Sequence, residues 1–459
     1  MLVKEVIRKD RGMQYVVENV LVCSSWGRTL LLNQPLTTDP QQLQQNLDRM
    51  ETHICFLQEH ADAARELVAV LHDINDITQT LRNLKELHVL DDIEFFELKK
   101  FALAAQKIRQ ILLDANYQQE NLYDLSKVID TLDPEGSRIA HFYVYSCYQP
   151  ELEDLRKQMN QTTDDTEREK LLWEAEQLED SVRQRLTEQL QPYTDSLLYN
   201  LQHIGALDVL NAKAQMAVAW QLTKPEISET ETCYQGLFHP QLVQLMAERG
   251  ATFQPVDIRL EQQPCLITGA NMSGKTVLLK SLAVAQYMFQ FGFYVPAAQA
   301  TVMPVNEVFC VIDDQQTEQH GLSSFAAEML AVNEILTRSK TDSRILALVD
   351  ELARTTNPDE GRRIVNAFVT MMQKYNVMAV VTTHYSGVAT TCRRLRVKGL
   401  TTHRMTDNIT PRSLGQYMDY TLVETTSDEV PAEALTIARI FHVDDEFLQL
   451  AQQNNINYQ

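Results

Sequence analysis

The sequence predicts an all-α domain over residues 1–225 followed by an α/β domain with a largely parallel sheet over 226–430. Three observations carry this. Apolar residues in the first half recur at three- and four-residue steps through long stretches without glycine, which is the period of one helical face. After Pro225 short β-rich runs alternate with helical stretches, the pattern of buried parallel strands linked by helices. Between one such strand and the next helix stands Gly269-Ala270-Asn271-Met272-Ser273-Gly274-Lys275-Thr276, a glycine-bounded loop ending in Lys-Thr.

Taken in order, Pro40 to Leu71 reads as one helical run, with Leu43, Leu47, Met50, Ile54, Leu57 and Ala61 on its apolar face. A second run is expected over Asp73–Leu90, through Ile74, Ile77, Leu81, Leu84 and Leu87, and a third over Asp92–Leu113. Asp133-Pro134-Glu135-Gly136 signals a turn. Phe142-Tyr143-Val144-Tyr145 reads as a short strand before helices resume at Pro150. Residues 151–190 form an acidic hairpin, with 12 Asp and Glu against 6 Lys and Arg, a poor binder of a phosphate backbone. In the second half the expected strands are Pro264–Thr268, Val308–Ile312, Ile345–Val349 and Val377–Val381, with a helix over Val277–Phe291.

Composition narrows the function. A formal charge of −21 over 459 residues argues against a basic nucleic-acid footprint across the whole chain. No apolar run approaches the ~20 residues of a membrane span, and the first residues lack the apolar core of a signal peptide. The seven cysteines, at 23, 55, 147, 233, 265, 310 and 392, never form a Cys-x-x-Cys pair. A disulfide framework or cysteine zinc site is not expected, and a reducing cytoplasm is the natural setting.

The chemistry is concentrated in the second half. The Gly269–Thr276 loop fits G-x-x-x-x-G-K-[ST] in the strand–loop–helix context that a phosphate loop (Walker A) requires. Its glycines let backbone amides wrap phosphate, Lys275 neutralises the β- and γ-phosphates, and the Thr276 hydroxyl ligates Mg²⁺. The strand Ile345–Val349 runs into Asp350-Glu351, a carboxylate pair that is expensive to bury without a cation. Asp350 is expected to hold the Mg²⁺ through water and Glu351 to polarise the attacking water. A third strand leads to Thr383-His384, placing His384 to sense the γ-phosphate. The expected activity is Mg²⁺-dependent ATP hydrolysis, with ATP and Mg²⁺ as cofactors.

These residues resemble the ATPase of the MutS family, the mismatch-repair and related ATPases of the ABC type. The loop resembles the family's G-P-N-M-G-G-K-S-T. Gly292–Ala297 resembles G-x-F-V-P-A, and Ser323-Ser324-Phe325-Ala326-Ala327-Glu328-Met329 resembles S-T-F-x-x-E-M. Asp350–Thr356 resembles D-E-I-G-R-G-T with both glycines lost, and Thr383-His384-Tyr385 matches T-H-Y. Phe238-His239-Pro240 and Phe253–Asp257 resemble R-H-P and F-V-P-N-D. The likeness is highly specific over roughly 235–390. More weakly, Trp26–Leu30 and Pro150–Arg156 resemble the family's lever and clamp segments, and Ala434–Ala438 its C-terminal helical dimerisation element over 431–459.

The resemblance implies an ABC-type P-loop ATPase preceded by a helical lever. It implies a homodimer with composite sites, in which Ser323 and Ser324 of one protomer reach the nucleotide held by Lys275 of the other. Phe253 and His239 fall where the family builds its adenine pocket, Phe253 placed to stack on the base. The expectation is a chain without the family's N-terminal mismatch wedge, with its clamp reduced to the acidic hairpin and no nuclease domain after residue 459. DNA binding is therefore expected to be weak. Three roles stay open: a nucleic-acid-linked ATPase of mismatch-repair lineage, a remodeller of a protein partner such as the cobalamin-dependent lysine 5,6-aminomutase, and a nucleotide-gated structural module.

Overall fold

The structure, a computed structural model, describes residues 1–270, 273–312, 324–342, 344–388, 391–401, 414–426 and 434–453. Among the described residues every element up to Ala219 is a helix, and strands begin at Glu226.

The expected run over 40–71 is two helices, Pro40–Glu59 and Ala61–Leu71. The first opens where Asp39 accepts a bond from the Gln41 N–H, with Pro40 at the position where no donor is needed. It stops at His60, which leaves helical geometry at φ −124° and ψ 51°. The expected helix over Asp73–Leu90 is confined to Thr78–Lys85. The Asp76 carboxylate takes the backbone N–H and the hydroxyl of Thr78, holding the chain in a turn until there. Ile74, Ile77, Leu81 and Leu84 are buried as their spacing suggests, but Leu87 is exposed. The third helix, Asp92–Asp114, starts with a reciprocal Asp91–Glu94 capping box.

Phe142–Tyr145 belongs to no strand among the described residues, contrary to expectation. Side chains occupy the Val144 carbonyl and the His141 carbonyl just before the segment. The fully buried Lys99 ammonium donates to His141 O (2.8 Å), Asp133 Oδ1 (3.0 Å) and Tyr145 Oη (3.1 Å). Arg156 donates to Val144 O at 2.8 Å. The acidic hairpin is the helix pair Pro150–Gln161 and Asp165–Leu190. Several of its bases are already paired, Arg156 with Glu179 (2.8 Å), Lys157 with Glu153 (2.7 Å) and Arg183 with Asp92 (2.8 Å). A 26-residue helix, Thr194–Ala219, packs against the helices Ser25–Asn33 and Pro40–Glu59.

Among the described residues the second half contains ten strands: β1 Glu226–Ile227, β2 Glu231–Leu237, β3 Val256–Glu261, β4 Pro264–Thr268, β5 Gln299–Val302, β6 Glu307–Val311, β7 Ile345–Val349, β8 Met378–Thr383, β9 Arg393–Leu400 and β10 Met418–Glu424. The main sheet has the order β10-β9-β4-β8-β7-β6, parallel from β9 to β6 with β10 antiparallel at one edge. β4, β7 and β8 are buried along their whole length, which matches their unbroken apolar runs. The remaining strands form a smaller mixed sheet, β1-β5-β2-β3. The helix after the phosphate loop spans Lys275–Gln290 and is almost wholly buried. It joins one apolar core with Leu43, Leu47 and Met50 from the helical half.

Candidate functional site

The site forms at the carboxyl ends of the central parallel strands. β4 runs straight into Gly269 and Ala270; Asn271 and Met272 lie outside the described residues. Gly274 has φ +81°, and a Cβ there would stand 2.9 Å from the Tyr420 ring, so conformation and space both call for glycine. At Gly269 a Cβ would meet Ser273 Oγ at 2.7 Å. The Ser273 hydroxyl oxygen is buried with no hydrogen-bond partner among the described residues. An orphaned hydroxyl in a glycine-bounded loop at the start of a buried helix is a fitting receptor for phosphate oxygens.

Lys275 is the first residue of that helix and is 5% exposed. Its ammonium donates to Gly269 O (2.8 Å) and Ala270 O (3.0 Å), and lies 3.8 Å from Glu351 Oε1. Burial pulls its pKa below the usual lysine range, while the charges of Glu351 and Asp350 pull back. The Thr276 hydroxyl donates to Asp350 Oδ2 at 2.6 Å, bringing together the two groups expected to hold Mg²⁺. A hydroxyl and a carboxylate at a strand end, facing a phosphate loop, are the oxygen donors this ion takes when phosphate supplies the others.

One residue that sequence reasoning missed ties the acids together. Thr382, near the end of β8, donates to Asp350 Oδ1 at 2.6 Å and accepts the Glu351 N–H at 2.9 Å. Glu351 itself has φ +45° and its other carboxylate oxygen lies 3.6 Å from Arg354. Ala353, with φ +63°, stands where the resembling motif has glycine. Its N–H bonds Glu328 Oε1 (2.8 Å) and its carbonyl accepts the Tyr385 hydroxyl (2.6 Å). His384 follows β8, half-buried, with its ring 4.4 Å from that of Tyr385. Ser323 lies outside the described residues; Ser324 opens the helix Ser324–Ser339, and its side chain is not described.

Beside the loop is a cavity of about 200 Å³ lined by Phe253, Gln254, Ser273, Gly274, Lys275 and Tyr420. Phe253 lines this cavity together with the loop residues. Tyr420 and Gln254 were not foreseen: Gln254 accepts the Tyr420 N–H (3.2 Å) and donates to Asp419 Oδ1 (3.1 Å), binding the Phe253 loop to β10. His239 lies elsewhere. It is buried against the helix Arg11–Glu18, its Nε2 3.1 Å from where a Cβ at Gly12 would stand. Burial, and then the charge of Lys280, depress its pKa to about 4.

The profile of MutS domain V matches residues 265–457. Among similar proteins are Endonuclease MutS2 of Pediococcus pentosaceus, 36% identical over 216 residues, 46% of this chain and 26% of that protein. The Endonuclease MutS2 of Ligilactobacillus salivarius is 33% identical over 206 residues, 44% of this chain and 25% of that protein. That of Enterococcus faecalis is 33% identical over 202 residues, with the same shares of 44% and 25%. The chain therefore spans about a quarter of the length of these curated relatives. The profile begins at Cys265, inside the strand that feeds the phosphate loop, and continues past both carboxylates and β10. The phosphate loop, both carboxylates and β10 thus lie in a segment that is similar to domain V of the MutS family.

Proposed function

We propose that this chain is a MutS-type ATPase that binds ATP with Mg²⁺ and hydrolyses it, acting as a homodimer with composite sites. The observation that supports this most is the chain of contacts at the foot of the loop. Lys275 faces Glu351 at 3.8 Å, and Thr276 meets Asp350 at 2.6 Å. In this reading Lys275 leaves the loop carbonyls for the β- and γ-phosphates, and Thr276 and Asp350 hold the metal. Glu351 orients the attacking water, His384 faces the γ-phosphate, and Phe253 stacks on the base. Gly269 to Gly274, including Ala270, Asn271, Met272 and Ser273, wrap the phosphates with backbone amides. Bound Mg²⁺-ATP supplies the scissile anhydride and the metal's neutralising charge. The serines Ser323 and Ser324 complete the partner protomer's site.

From the relatives we carry over the motor and a nucleic-acid-linked setting, not the nuclease activity in their name. The matched segment is a minor part of each of them, and the residues argued from here handle nucleotide. The test is a pair of variants. Lys275→Ala should lose nucleotide affinity, and Glu351→Gln should bind ATP but hydrolyse it at least ~10²-fold more slowly, since groups that act only in the transition state are of that magnitude. Wild-type turnover in Glu351→Gln would reject the assigned carboxylate. Tight Mg²⁺-ATP binding by Lys275→Ala would reject the site.

A further inference from the structure

β8 lies between β4, which feeds the phosphate loop, and β7, which carries the two acids. Thr382 is fully buried on this middle strand. Its single hydroxyl has two partners on two different residues, the Asp350 carboxylate as acceptor at 2.6 Å and the Glu351 N–H as donor at 2.9 Å. The second oxygen of Asp350 is taken by Thr276 at 2.6 Å. Glu351 sits in the left-handed region at φ +45°, where a residue with a side chain is disfavoured. Its backbone has to be held there, and the Thr382 oxygen is the group bonded to its N–H.

We infer that Thr382 is a positioning residue of the magnesium–nucleotide site. It fixes the carboxylate plane of Asp350 and the backbone turn that aims Glu351, acting from the strand between the loop and the acids. The inference rests on the ATPase reading above. Metal coordination uses a lone pair of the Thr276 oxygen and leaves its proton for Asp350 Oδ2, so Thr382 is the hydroxyl that holds the other oxygen, Oδ1. Groups that orient a ligand in this way typically change metal affinity or activity 10–100-fold when removed. A buried threonine whose role is only to fill space would behave otherwise, because valine has nearly the same shape and suits a buried strand.

The experiment measures binding of the fluorescent nucleotide mant-ATP in EDTA and across a Mg²⁺ titration. Wild type, Thr382→Val, Thr382→Ser, Asp350→Asn and the Thr382→Val/Asp350→Asn double variant are compared. Thr382→Val should bind mant-ATP in EDTA within about two-fold of wild type, yet need at least ~10-fold more Mg²⁺ for its half-maximal response. Thr382→Ser, which keeps the hydroxyl, should recover to within about three-fold. In the Asp350→Asn background the valine should add no further loss, because its effect passes through that carboxylate. A folded Thr382→Val with wild-type Mg²⁺ dependence overturns the inference, and so does a serine variant as defective as the valine. Should valine not fold, Thr382→Ala against Thr382→Ser makes the same comparison: equal Mg²⁺ dependence overturns the inference, a deficit in alanine alone supports it. Failure of the underlying reading is distinguishable, since wild-type protein would then bind no mant-ATP in either condition, and both would fall.

Discussion

Gly361→Ala sets two effects of opposite sign against each other. Gly361 lies in the helix Pro358–Lys374, and in an exposed helix the change would stabilise by about 1 kcal/mol. Here the new Cβ would stand 2.4 Å from Tyr385 Oη and 2.5 Å from its Cζ, whereas ordinary contact begins near 3.4 Å. The Tyr385 ring, buried and bonded through its hydroxyl to Ala353 O at 2.6 Å, must retreat by roughly 1 Å. Overpacking of this kind costs about 1–3 kcal/mol, and loss of the hydrogen bond about 1 kcal/mol more. The net expectation is a loss of roughly 1–3 kcal/mol. It should come with slower ATP hydrolysis, because Ala353 lies two residues beyond Glu351 in the same left-handed turn. Urea unfolding followed by circular dichroism reads the first, and steady-state hydrolysis the second. A variant more resistant to urea than wild type, with unchanged turnover, would refute the reasoning, since helix propensity would then have outweighed the clash.

Two further expectations concern the helical half. His53 is fully buried, its Nδ1 3.0 Å from Tyr117 Oη and its Nε2 3.2 Å from Asn211 Oδ1, and burial above all lowers its pKa from 6.5 to about 4. A folded-state pKa below the unfolded one means stability that is complete above pH 6.5 and lost as pH falls towards 4. The loss between pH 7 and pH 5 is on the order of 2 kcal/mol, and His53→Gln should flatten it; an unchanged slope in urea melts at the two pH values would count against the assignment. For DNA, the hairpin bases Arg156, Lys157 and Arg183 are already paired with acids. Matched and mismatched duplexes should therefore bind with similarly weak affinity in fluorescence anisotropy at near-physiological salt, and tight mismatch-selective binding would sink that expectation.

The parts of this site legible in the sequence were those in which neighbours along the chain are neighbours in the site. Gly269 to Thr276 is one continuous stretch from the end of a strand into a helix, and Asp350-Glu351 follows an unbroken apolar strand. Thr382 escaped because its importance lies across the sheet: only strand order brings it between Asp350 and Glu351, 32 and 31 residues away. Tyr420 escaped for the same reason, reaching Gly274 from the antiparallel edge strand next to β9. In the helical half, no glycine or proline marks the break at His60, so periodicity alone carried the reading through it. The two glycines missing from the resembling motif behave differently. Ala353 occupies the left-handed region that glycine would relieve, and Thr355 is not among the residues with positive φ.

The helix Lys275–Gln290 joins the two halves physically. Its first residue faces Glu351, and over 16 residues it extends about 24 Å into the molecule. At its far end Gln290 O accepts the Thr37 N–H at 3.0 Å, and the Gln290 amide donates to Thr37 O at 3.0 Å. Phe291 O accepts Gln34 Nε2 at 2.9 Å and the buried Lys213 ammonium at 2.6 Å. Lys213 faces the negative end of the helix dipole, which favours its charged form, while burial lowers its pKa to about 7; it also lies 4.3 Å from the centre of the Phe293 ring. Leu282 and Met288 pack along the way in the same core as Leu43 and Leu47. A buried α-helix has little freedom to stretch or bend, since its own ladder and the close-packed core resist both. Under the proposed reading, a shift of this helix on phosphate binding would be felt at Gln34, Thr37 and Lys213. Those residues belong to the start of the chain and to the 26-residue helix Thr194–Ala219. Under the proposed reading, that junction is where nucleotide state becomes movement of the helical half.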